Sequence, residues 1–230
     1  MKVDTAIILA GGLGTRLRSV VSDVPKPMAP VGNKPFLHYL MTYWYQQGIR
    51  RFVLSTGYLS EKIIQYFGNQ FLDAEIIYSH ESQPLGTGGG LLNALSKIDT
   101  QNRILLLNGD TYFEVDLKSL QQIKADIVFS VFESDDNQRY MPISVHENGL
   151  VDLNYINMSE FPFFVNGGVY LIKPSIFEQY AQKPLHKISL ENEIFGELNK
   201  QFGFKAKSFQ SRFIDIGIPE DYQKFKLWKL

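Results

Sequence analysis

Three short apolar segments constrain the fold of this 230-residue chain more than any other feature. They are Thr5–Ala10, Arg51–Thr56 and Arg103–Asn108. Continuous runs rich in Val, Ile and Leu are typical of parallel strands that are buried on both faces. Helical patterns at 35–48 and 59–67 lie between these segments. The alternation predicts an α/β fold with a mostly parallel sheet and helices on both faces.

The second half of the chain has a different pattern, with fewer helices between strands. Strand-like segments follow one another at Ile127–Phe132, Ile143–Val145, Val151–Leu153 and Val165–Ile172. We expect a small antiparallel extension of the sheet there. Because no repeat, low-complexity tract or linker interrupts the chain, we predict a single domain over residues 1–230, with halves at 1–125 and 126–230.

The composition excludes several classes of protein. The chain carries 23 basic and 24 acidic residues, a net charge of −1, whereas a nucleic-acid binder held by whole-surface charge is strongly basic. The absence of cysteine excludes disulfide frameworks, thiolate nucleophiles and cysteine-ligated metals. No apolar run has the length of a membrane span, and the N-terminus shows no signal peptide. We therefore expect a cytoplasmic protein with no nucleic-acid or membrane partner.

A glycine-rich, cationic loop follows the first strand. Gly11, Gly12 and Gly14 let backbone N–H groups approach an anionic oxygen closely. Residues 1–34 carry five basic and two acidic side chains. The loop is not a Walker A motif, because no Gly-Lys-Ser/Thr sequence closes it, and Leu17 stands where a dinucleotide-binding loop has its third glycine. The loop predicts a phosphate site, and a solvated surface loop is the alternative.

A second glycine-rich segment, residues 83–90, contains four glycines in five positions directly before a predicted helix at 91–98. Such a run is costly in conformational entropy. We interpret it as a flat backbone surface against which a base or sugar lies, with the Gln83 side chain able to donate and accept hydrogen bonds. A flexible connector is the alternative.

Two carboxylates occupy positions where α/β sheets bind ligands. Asp110 directly follows the strand Arg103–Asn108, and Asp215 comes soon after a predicted strand at Phe204–Phe209. Ligands of open α/β sheets bind beyond the carboxyl ends of the strands. Two carboxylates can hold Mg²⁺ against phosphates. For each residue alone, a turn or helix-cap role is the alternative.

These motifs together resemble the sugar-1-phosphate nucleotidylyltransferases. The resemblance rests on LAGGLGTRL, PKPM-APV-KP, PLGTGG, the NGD that ends a strand, the NGG of Asn166–Gly168 and DIG-PED-Y, which follow the family's order over nearly the whole chain. Within the family, the chain looks most like the bacterial D-glycero-D-manno-heptose 1-phosphate guanylyltransferases. Mannose-1-phosphate guanylyltransferases and N-acetylmuramate-1-phosphate uridylyltransferases are similar as well.

The resemblance implies a Rossmann-like (GT-A-like) fold and a defined reaction. GTP and a heptose 1-phosphate would give GDP-heptose and pyrophosphate for cell-surface glycans. The first half of the chain would bind the nucleotide and the second half the sugar. Among other sugar-1-phosphate nucleotidylyltransferases, mannose 1-phosphate or a different triphosphate would take these places, and a homodimer is a further expectation.

The resemblance also implies roles for individual residues. Arg16 would bind the triphosphate, Lys26 would bridge the reacting phosphates, and Asp110 with Asp215 would hold Mg²⁺. The nucleotide would also be bound by Leu9, Ala10, Gly11, Gly12, Gly14, Thr15, Gln83, Pro84, Gly86, Thr87, Gly88, Asn108 and Gly109. The sugar would be bound by Asn166, Gly167, Glu191, Arg139 and Tyr140.

The chain departs from the family at one cation. The family often has a lysine shortly before its NGG motif, whereas no lysine occurs from Val151 to Gly168 here. Losing a cation that meets a phosphate weakens binding by about 1.5–3 kcal/mol if nothing replaces it. Lys187 and Lys173 are candidate replacements. A different sugar, a less active enzyme, or a non-catalytic regulator that binds a nucleotide-sugar are the alternatives.

Overall fold

The computed structural model describes residues 2–12, 14–17, 20–136, 142–153, 163–181 and 183–229. Its strands are β1 (Thr5–Leu9), β2 (Pro30–Val31), β3 (Lys34–Pro35), β4 (Arg51–Thr56), β5 (Gln70–Phe71), β6 (Ala74–His80), β7 (Ile104–Asn108), β8 (Thr111–Phe113), β9 (Ile127–Ser134), β10 (Pro142–Val145), β11 (Val151–Asp152), β12 (Phe163–Ile172), β13 (Phe204–Ser208) and β14 (Phe213–Asp215). Its α-helices are α1 (Phe36–Gln46), α2 (Ser60–Phe67), α3 (Gly86–Leu95), α4 (Leu117–Gln121), α5 (Glu178–Ala181), α6 (Phe195–Leu198) and α7 (Pro219–Lys229). Single 3₁₀ turns lie at Thr15–Leu17, Lys26–Met28 and Pro174–Phe177, and a π-helical turn lies at Leu190–Ile194.

The main sheet is parallel in its centre and antiparallel toward one side. The strands β7, β1, β4 and β6 pair in that order, all in parallel. Beyond β7 comes β12, which is antiparallel to β7 and to β9, and β13 then pairs with β9 in parallel. The hairpin β10–β11 joins the beginning of β12. The predicted mostly parallel sheet with an antiparallel extension in the second half is confirmed.

Side chains of the central strands alternate between two buried layers. In β1, Ala6 and Ile8 belong to one layer and Ile7 belongs to the other, as the two-residue period of a strand requires. Buried side chains of α1, α2, α4 and α7 complete the first layer, and those of α3, α5 and α6 complete the second. Helices therefore pack on both faces of the sheet, as predicted.

Helix α1 contains the densest run of aromatic residues in the chain, and its apolar face is core. Pro35 precedes it with extended backbone and so sets its start. Phe36, Leu40 and Trp44 lie on one face and are buried. The ring of Phe36 packs against that of Phe225 in α7, with 4.8 Å between their centroids.

The start of α3 differs from the prediction. The helix begins at Gly86 rather than at Leu91, so the glycines belong to its first turns and not to an open loop. The reason is packing from the second half of the chain. A Cβ added at Gly86 would lie 2.6 Å from the carbonyl oxygen of Ile188, and one at Gly89 would lie 2.7 Å from that of His186. Close packing therefore accounts for glycine at these two positions, and the segment from Gly86 onward is neither an open loop nor a flexible connector.

Gly89→Ala is expected to lower the free energy of unfolding by about 1–3 kcal/mol, the usual cost of overpacking. The added methyl group would meet backbone atoms, which cannot turn aside as a flexible side chain can. Gly196→Ala in α6 is the matched control, because nothing lies within 4 Å of a Cβ there. Alanine at that helical position should stabilise the protein by up to about 1 kcal/mol. Urea unfolding of both variants measures the difference, and an unchanged Gly89→Ala protein would contradict the packing.

Candidate functional site

A cleft lies at the carboxyl ends of β1 and β7, where open α/β sheets bind their ligands. The chain is tightly packed at this point, since the amide of Gly109 donates to the carbonyl oxygen of Leu9 at 3.0 Å. A Cβ on Gly109 would lie 2.5 Å from the same oxygen, so only glycine fits. The cleft is lined by Leu9, Ala10, Gly12, Gly14, Arg16, Lys26, Pro27, Gly109, Asp110 and Gly217.

The cationic loop folds back on itself to place Lys26 in this cleft. Gly14 has a φ of +58°, a conformation that favours glycine, and a Cβ there would lie 3.0 Å from Lys26 Cβ. The two ends of the loop therefore touch. Arg16 lies between them in sequence and is exposed at the cleft.

Lys26 lies between the two predicted carboxylates. Its Nζ is 2.5 Å from Asp110 Oδ2 and 3.5 Å from Asp215 Oδ1. The Lys26 side chain is only 9% exposed, whereas the carboxylates are 33% and 31% exposed. A nearly buried cation thus faces two carboxylates that remain open to the cleft.

Asp215 reaches the cleft by a route that the sequence did not reveal. It ends a separate strand, β14, which pairs antiparallel with β8 and sets Asp215 opposite Thr111, next to Asp110. The amide of Gly217 donates to Asp215 Oδ1 at 2.6 Å, and a Cβ on Gly217 would lie 2.9 Å from that oxygen. The sequence indicates only that Asp215 comes soon after a strand at Phe204–Phe209, whereas the structure adds the separate strand β14 and brings Asp215 and Asp110 to the same lysine.

The electrostatics of the pair favour an added positive charge. Burial, followed by the negative charge of Asp110, raises the pKa of the Asp215 carboxyl above its ordinary value. The positive charges of Lys26 and Arg16 and the Gly217 amide act in the opposite direction without cancelling the rise. The charged form of Asp215 is therefore less favoured here than in water, and a further cation in the cleft would stabilise it.

A second cleft adjoins the first at Gly11. It is lined by Gly11, Gly57, Tyr58, His80, Glu81, Ser82, Gln83 and Pro84. The predicted residues Gln83 and Pro84 are exposed here. The glycine loop after β1 thus forms part of both clefts.

Glu81 is a cleft residue that our sequence reasoning missed. Its Oε1 accepts from Ser55 Oγ at 2.9 Å, and its Oε2 accepts from the amide of Leu85 at 3.0 Å. A Cβ on Gly11 would lie 2.5 Å from Oε1, so the carboxylate rests against the glycine loop. The signal was present, because Glu81 directly follows the parallel strand β6, just as Asp110 follows β7.

The predicted residues Thr87 and Gly88 bind other parts of the chain. The amide of Gly88 donates to the carbonyl oxygen of Ile188 at 3.0 Å, and Gly88 is buried. Thr87 Oγ1 donates to Glu191 Oε2 at 2.7 Å. Glu191, predicted on the sugar side, is therefore in direct contact with a residue predicted on the nucleotide side.

The Asn166–Gly168 segment forms an irregularity in β12, where the register with β9 shifts. Asn166 Nδ2 donates to the Tyr170 hydroxyl at 2.7 Å, and Asn166 Oδ1 accepts from the amide of Gly168 at 3.0 Å. A Cβ on Gly168 would lie 2.7 Å from the side-chain nitrogen of Asn108. Asn166, Gly167 and Asn108 therefore lie together, beside the cleft that contains Asp110.

Comparison with known proteins decides the family. The nucleotidyl transferase family matches residues 5–227. The chain belongs to that family. Among the described residues, no helix has the length and apolar run needed to cross a membrane.

The nucleotidyl transferase is similar along its whole length to guanylyltransferases. It is 42% identical over 224 residues to the D-glycero-alpha-D-manno-heptose 1-phosphate guanylyltransferase of Campylobacter jejuni, covering 96% of this chain and 97% of the relative. It is also 42% identical over 229 residues to the enzyme of that description from Aneurinibacillus thermoaerophilus, covering 95% of each chain. HddC from Yersinia pseudotuberculosis, complexed with GMP-PN, superposes with a TM-score of 0.85 at 35% identity, covering 99% of this chain and 100% of that one.

Of the two lysines considered as replacements for the family cation, only Lys187 remains. Lys173 follows the far end of β12, where Ile172 pairs with Ile104 at the start of β7, and its Nζ is 3.6 Å from Asp126 Oδ1. Lys173 thus lies at the opposite end of these strands from Asp110. It is therefore wrong as a candidate to replace the family cation. Lys187 is exposed in the segment that packs on α3. Arg139, Tyr140 and residues 154–162 lie outside the described residues.

Proposed function

We propose that this nucleotidyl transferase joins GTP to D-glycero-α-D-manno-heptose 1-phosphate, giving GDP-heptose and pyrophosphate. The similarity to two heptose 1-phosphate guanylyltransferases supports this assignment. The observation that carries it is the arrangement of Lys26 between Asp110 and Asp215, beside a glycine loop at the carboxyl end of β1.

The reaction depends on neutralising the charge of the phosphates more than on a general base from the protein. A phosphate monoester with a second pKa of about 6 is already ionised at neutral pH, so the sugar phosphate oxygen can attack the α-phosphorus directly. The difficulty is bringing two polyanions together in line. In this proposal Lys26 neutralises both reacting phosphates, and Arg16, which lines the same cleft and is exposed, binds the departing pyrophosphate.

The carboxylate pair fits a Mg²⁺ ion. The carboxylates of Asp110 and Asp215 both lie beside Lys26 Nζ, and burial, followed by the charge of Asp110, raises the pKa of Asp215. Within the described residues no group of three or more His, Cys, Asp or Glu is arranged to hold a metal. This suits Mg²⁺, which commonly uses one or two carboxylates and takes its other ligands from phosphates and water. When bound, the ion would neutralise charge on the nucleotide phosphates.

We propose that the second cleft binds the base and that Glu81 recognises it. Guanine presents two adjacent donors, the N1–H and the exocyclic amino group, and an ionised carboxylate is a pure acceptor that can meet both. Glu81 is held in place by Ser55 and Leu85 before any ligand arrives, which lowers the cost of ordering it. Gln83, exposed in the same cleft, can serve another polar group of the base.

Glu81→Gln is expected to reduce the preference for GTP over ITP by about 10- to 100-fold, because a glutamine amide places a donor against the guanine amino group. ITP lacks that amino group and so measures its contribution alone. Glu75→Gln is the control, since Glu75 lies in β6, the strand that Glu81 follows, but is exposed and pairs with Arg51 at 2.8 Å. The measurement is kcat/KM for both triphosphates. An unchanged GTP-to-ITP ratio in Glu81→Gln would remove Glu81 from base recognition.

The function is tested by a pyrophosphate-release screen. Purified protein with Mg²⁺ is given GTP, ATP, UTP or CTP together with heptose, mannose or glucose 1-phosphate. We expect the fastest release with GTP and the heptose. Release with no pair would refute the enzymatic assignment, and tight GTP binding without release would indicate a regulatory nucleotide-binding protein instead.

We place the reaction in the cytoplasm, where nucleoside triphosphates are made. The homodimer expected from the family resemblance stays a prediction, which the mass of the protein in solution would decide.

A further inference from the structure

A short ladder of hydrogen bonds joins the start of α3 to residues 188–190. The amide of Ile188 donates to the carbonyl oxygen of Leu85 at 2.9 Å, and the amide of Gly88 donates back to the carbonyl oxygen of Ile188 at 3.0 Å. The amide of Leu190 continues the series by donating to Thr87 Oγ1 at 2.9 Å. The loop that lines the base cleft is thereby fixed to the segment that carries Glu191.

The hydroxyl group of Thr87 both donates and accepts a hydrogen bond. A threonine hydroxyl has one proton to donate and lone pairs to accept. The proton goes to Glu191 Oε2 at 2.7 Å, and the Leu190 amide is accepted at 2.9 Å. A donor bonded to a carboxylate makes one of the stronger hydrogen bonds in proteins. Thr87 is therefore placed to set the carboxylate of Glu191 rather than to meet a ligand itself.

Thr87 lies in the first turn of α3, which follows the carboxyl end of β6, so the Glu191 carboxylate bonded to it lies at the end of the sheet where ligands bind. Glu191 lies in the π-helical turn Leu190–Ile194, where the amide of Ile194 donates to the carbonyl oxygen of Ser189 at 3.2 Å. Such turns are rare and occur often at functional sites. The charge of Glu191 acts on the buried Tyr170 hydroxyl, whose pKa is raised by burial and, to a lesser extent, by that charge.

Tyr170 connects this carboxylate to the irregular part of β12. Its hydroxyl oxygen accepts from Asn166 Nδ2 at 2.7 Å. Two hydrogen-bonded pairs, Thr87–Glu191 and Asn166–Tyr170, are thus coupled through the charge of Glu191, and the first pair joins the two halves of the chain. Thr87, Glu191 and Asn166 are only partly buried.

We propose that Thr87 is a positioning residue for the sugar substrate: it holds Glu191 so that the carboxylate can accept hydrogen bonds from sugar hydroxyls. The proposal rests on the proposed sugar 1-phosphate substrate and reassigns Thr87 from the nucleotide to the sugar. Glu191 Oε2 accepts from Thr87 Oγ1 at 2.7 Å and from Ser189 Oγ at 3.5 Å, so the carboxylate keeps lone pairs for the hydroxyls of a polyol. A fixed carboxylate also discriminates among sugars by the direction of their hydroxyls.

The test compares the effect of a substitution on KM for the sugar 1-phosphate with its effect on KM for GTP. Thr87→Val keeps the shape of the side chain and removes the hydroxyl, so we expect KM for the sugar 1-phosphate to rise roughly 10- to 100-fold, as for a lost bond to a charged group. KM for GTP should change less than about 3-fold. Thr87→Ser should restore KM for the sugar, which a purely steric role of the threonine methyl group would not. Ser96→Ala is the control, because its hydroxyl donates only to Asn93 within the same helix region.

A second measurement tests whether Thr87 acts through Glu191. Glu191→Gln and the double variant with Thr87→Val complete a double-mutant cycle on kcat/KM, and we expect the second substitution to add little to the first. Thermal unfolding of each variant reports whether it folds, and Thr87→Ser provides a conservative alternative if the valine does not.

The outcomes distinguish the proposal from the assignment of function. A rise in KM for GTP alone would return Thr87 to the nucleotide, and additive effects in the cycle would overturn positioning through Glu191. Either result requires a wild-type enzyme that releases pyrophosphate. If the wild type is inactive with every sugar 1-phosphate, both the proposed function and this inference fail.

Discussion

Asp110→Asn is expected to lower kcat by about 100- to 1,000-fold, the usual loss when one charged partner of a transition state is removed. Asparagine keeps the size of the side chain, and its oxygen can still accept from Lys26 Nζ, which lies 2.5 Å from Asp110 in the wild type. The substitution removes the negative charge that we propose binds Mg²⁺. The half-saturating Mg²⁺ concentration should therefore rise together with the loss of kcat, and a titration of pyrophosphate release against Mg²⁺ measures both.

Asp116→Asn is the matched control for this prediction. Asp116 lies on the same stretch of chain, but its carboxylate caps α4 by accepting from the amides of Lys118 and Ser119. Asparagine is an equally good helix cap, so kcat and stability should stay near wild type. If Asp110→Asn kept its kcat and its Mg²⁺ dependence, Asp110 would be a structural partner of Lys26 and nothing more.

Lys26→Met is expected to lower kcat by about 1,000-fold or more, in the range seen when a cation that stabilises phosphoryl transfer is lost. Methionine keeps the length of the side chain and removes the ammonium group that lies 2.5 Å and 3.5 Å from the two carboxylates. The substitution leaves two neighbouring carboxylates without their shared cation, an arrangement that is strongly destabilising where the groups are buried. Thermal stability in metal-free buffer should therefore fall as well.

Addition of Mg²⁺ separates these two effects of Lys26→Met. A divalent ion should restore most of the lost thermal stability by replacing the missing charge, whereas kcat should stay low because the reacting phosphates have lost their contact. Lys34→Met is the control, since Lys34 is exposed in the same cationic loop. A Lys26→Met enzyme within about 10-fold of the wild-type kcat would exclude Lys26 from the reaction.

The sequence predicted the parallel core because local pattern and burial agree there. Arg51–Thr56 is β4 with the predicted bounds, and Asp110 lies at the carboxyl end of β7 as expected. Continuous apolar runs are the signature of strands covered on both faces, so tertiary structure and local preference give the same answer. The positions of site residues that directly follow such strands can therefore be predicted as well.

Prediction failed where contacts from far along the chain decide the conformation. Glycine propensity argued against a helix at Gly86–Gly90, yet the backbone at His186 and Ile188 leaves no room for side chains on that helix. The strands β8 and β14 have three residues each, too few to show a period, and exist because they pair with each other. Glu81 was missed because its place at the carboxyl end of β6 depends on how far that strand extends, which the sequence pattern does not show.

The pairing of β14 with β8 determines when the two carboxylates of the cleft come together. The strands β1, β4, β6 and β7 draw on the first half of the chain and can associate early during synthesis, since domains fold as their residues emerge from the ribosome. Asp215 comes much later and joins Asp110 only when this small ladder closes across the molecule. A growing chain can therefore form its glycine-rich loop before it holds both carboxylates, and the pair that we propose for Mg²⁺ is complete only when that last segment docks.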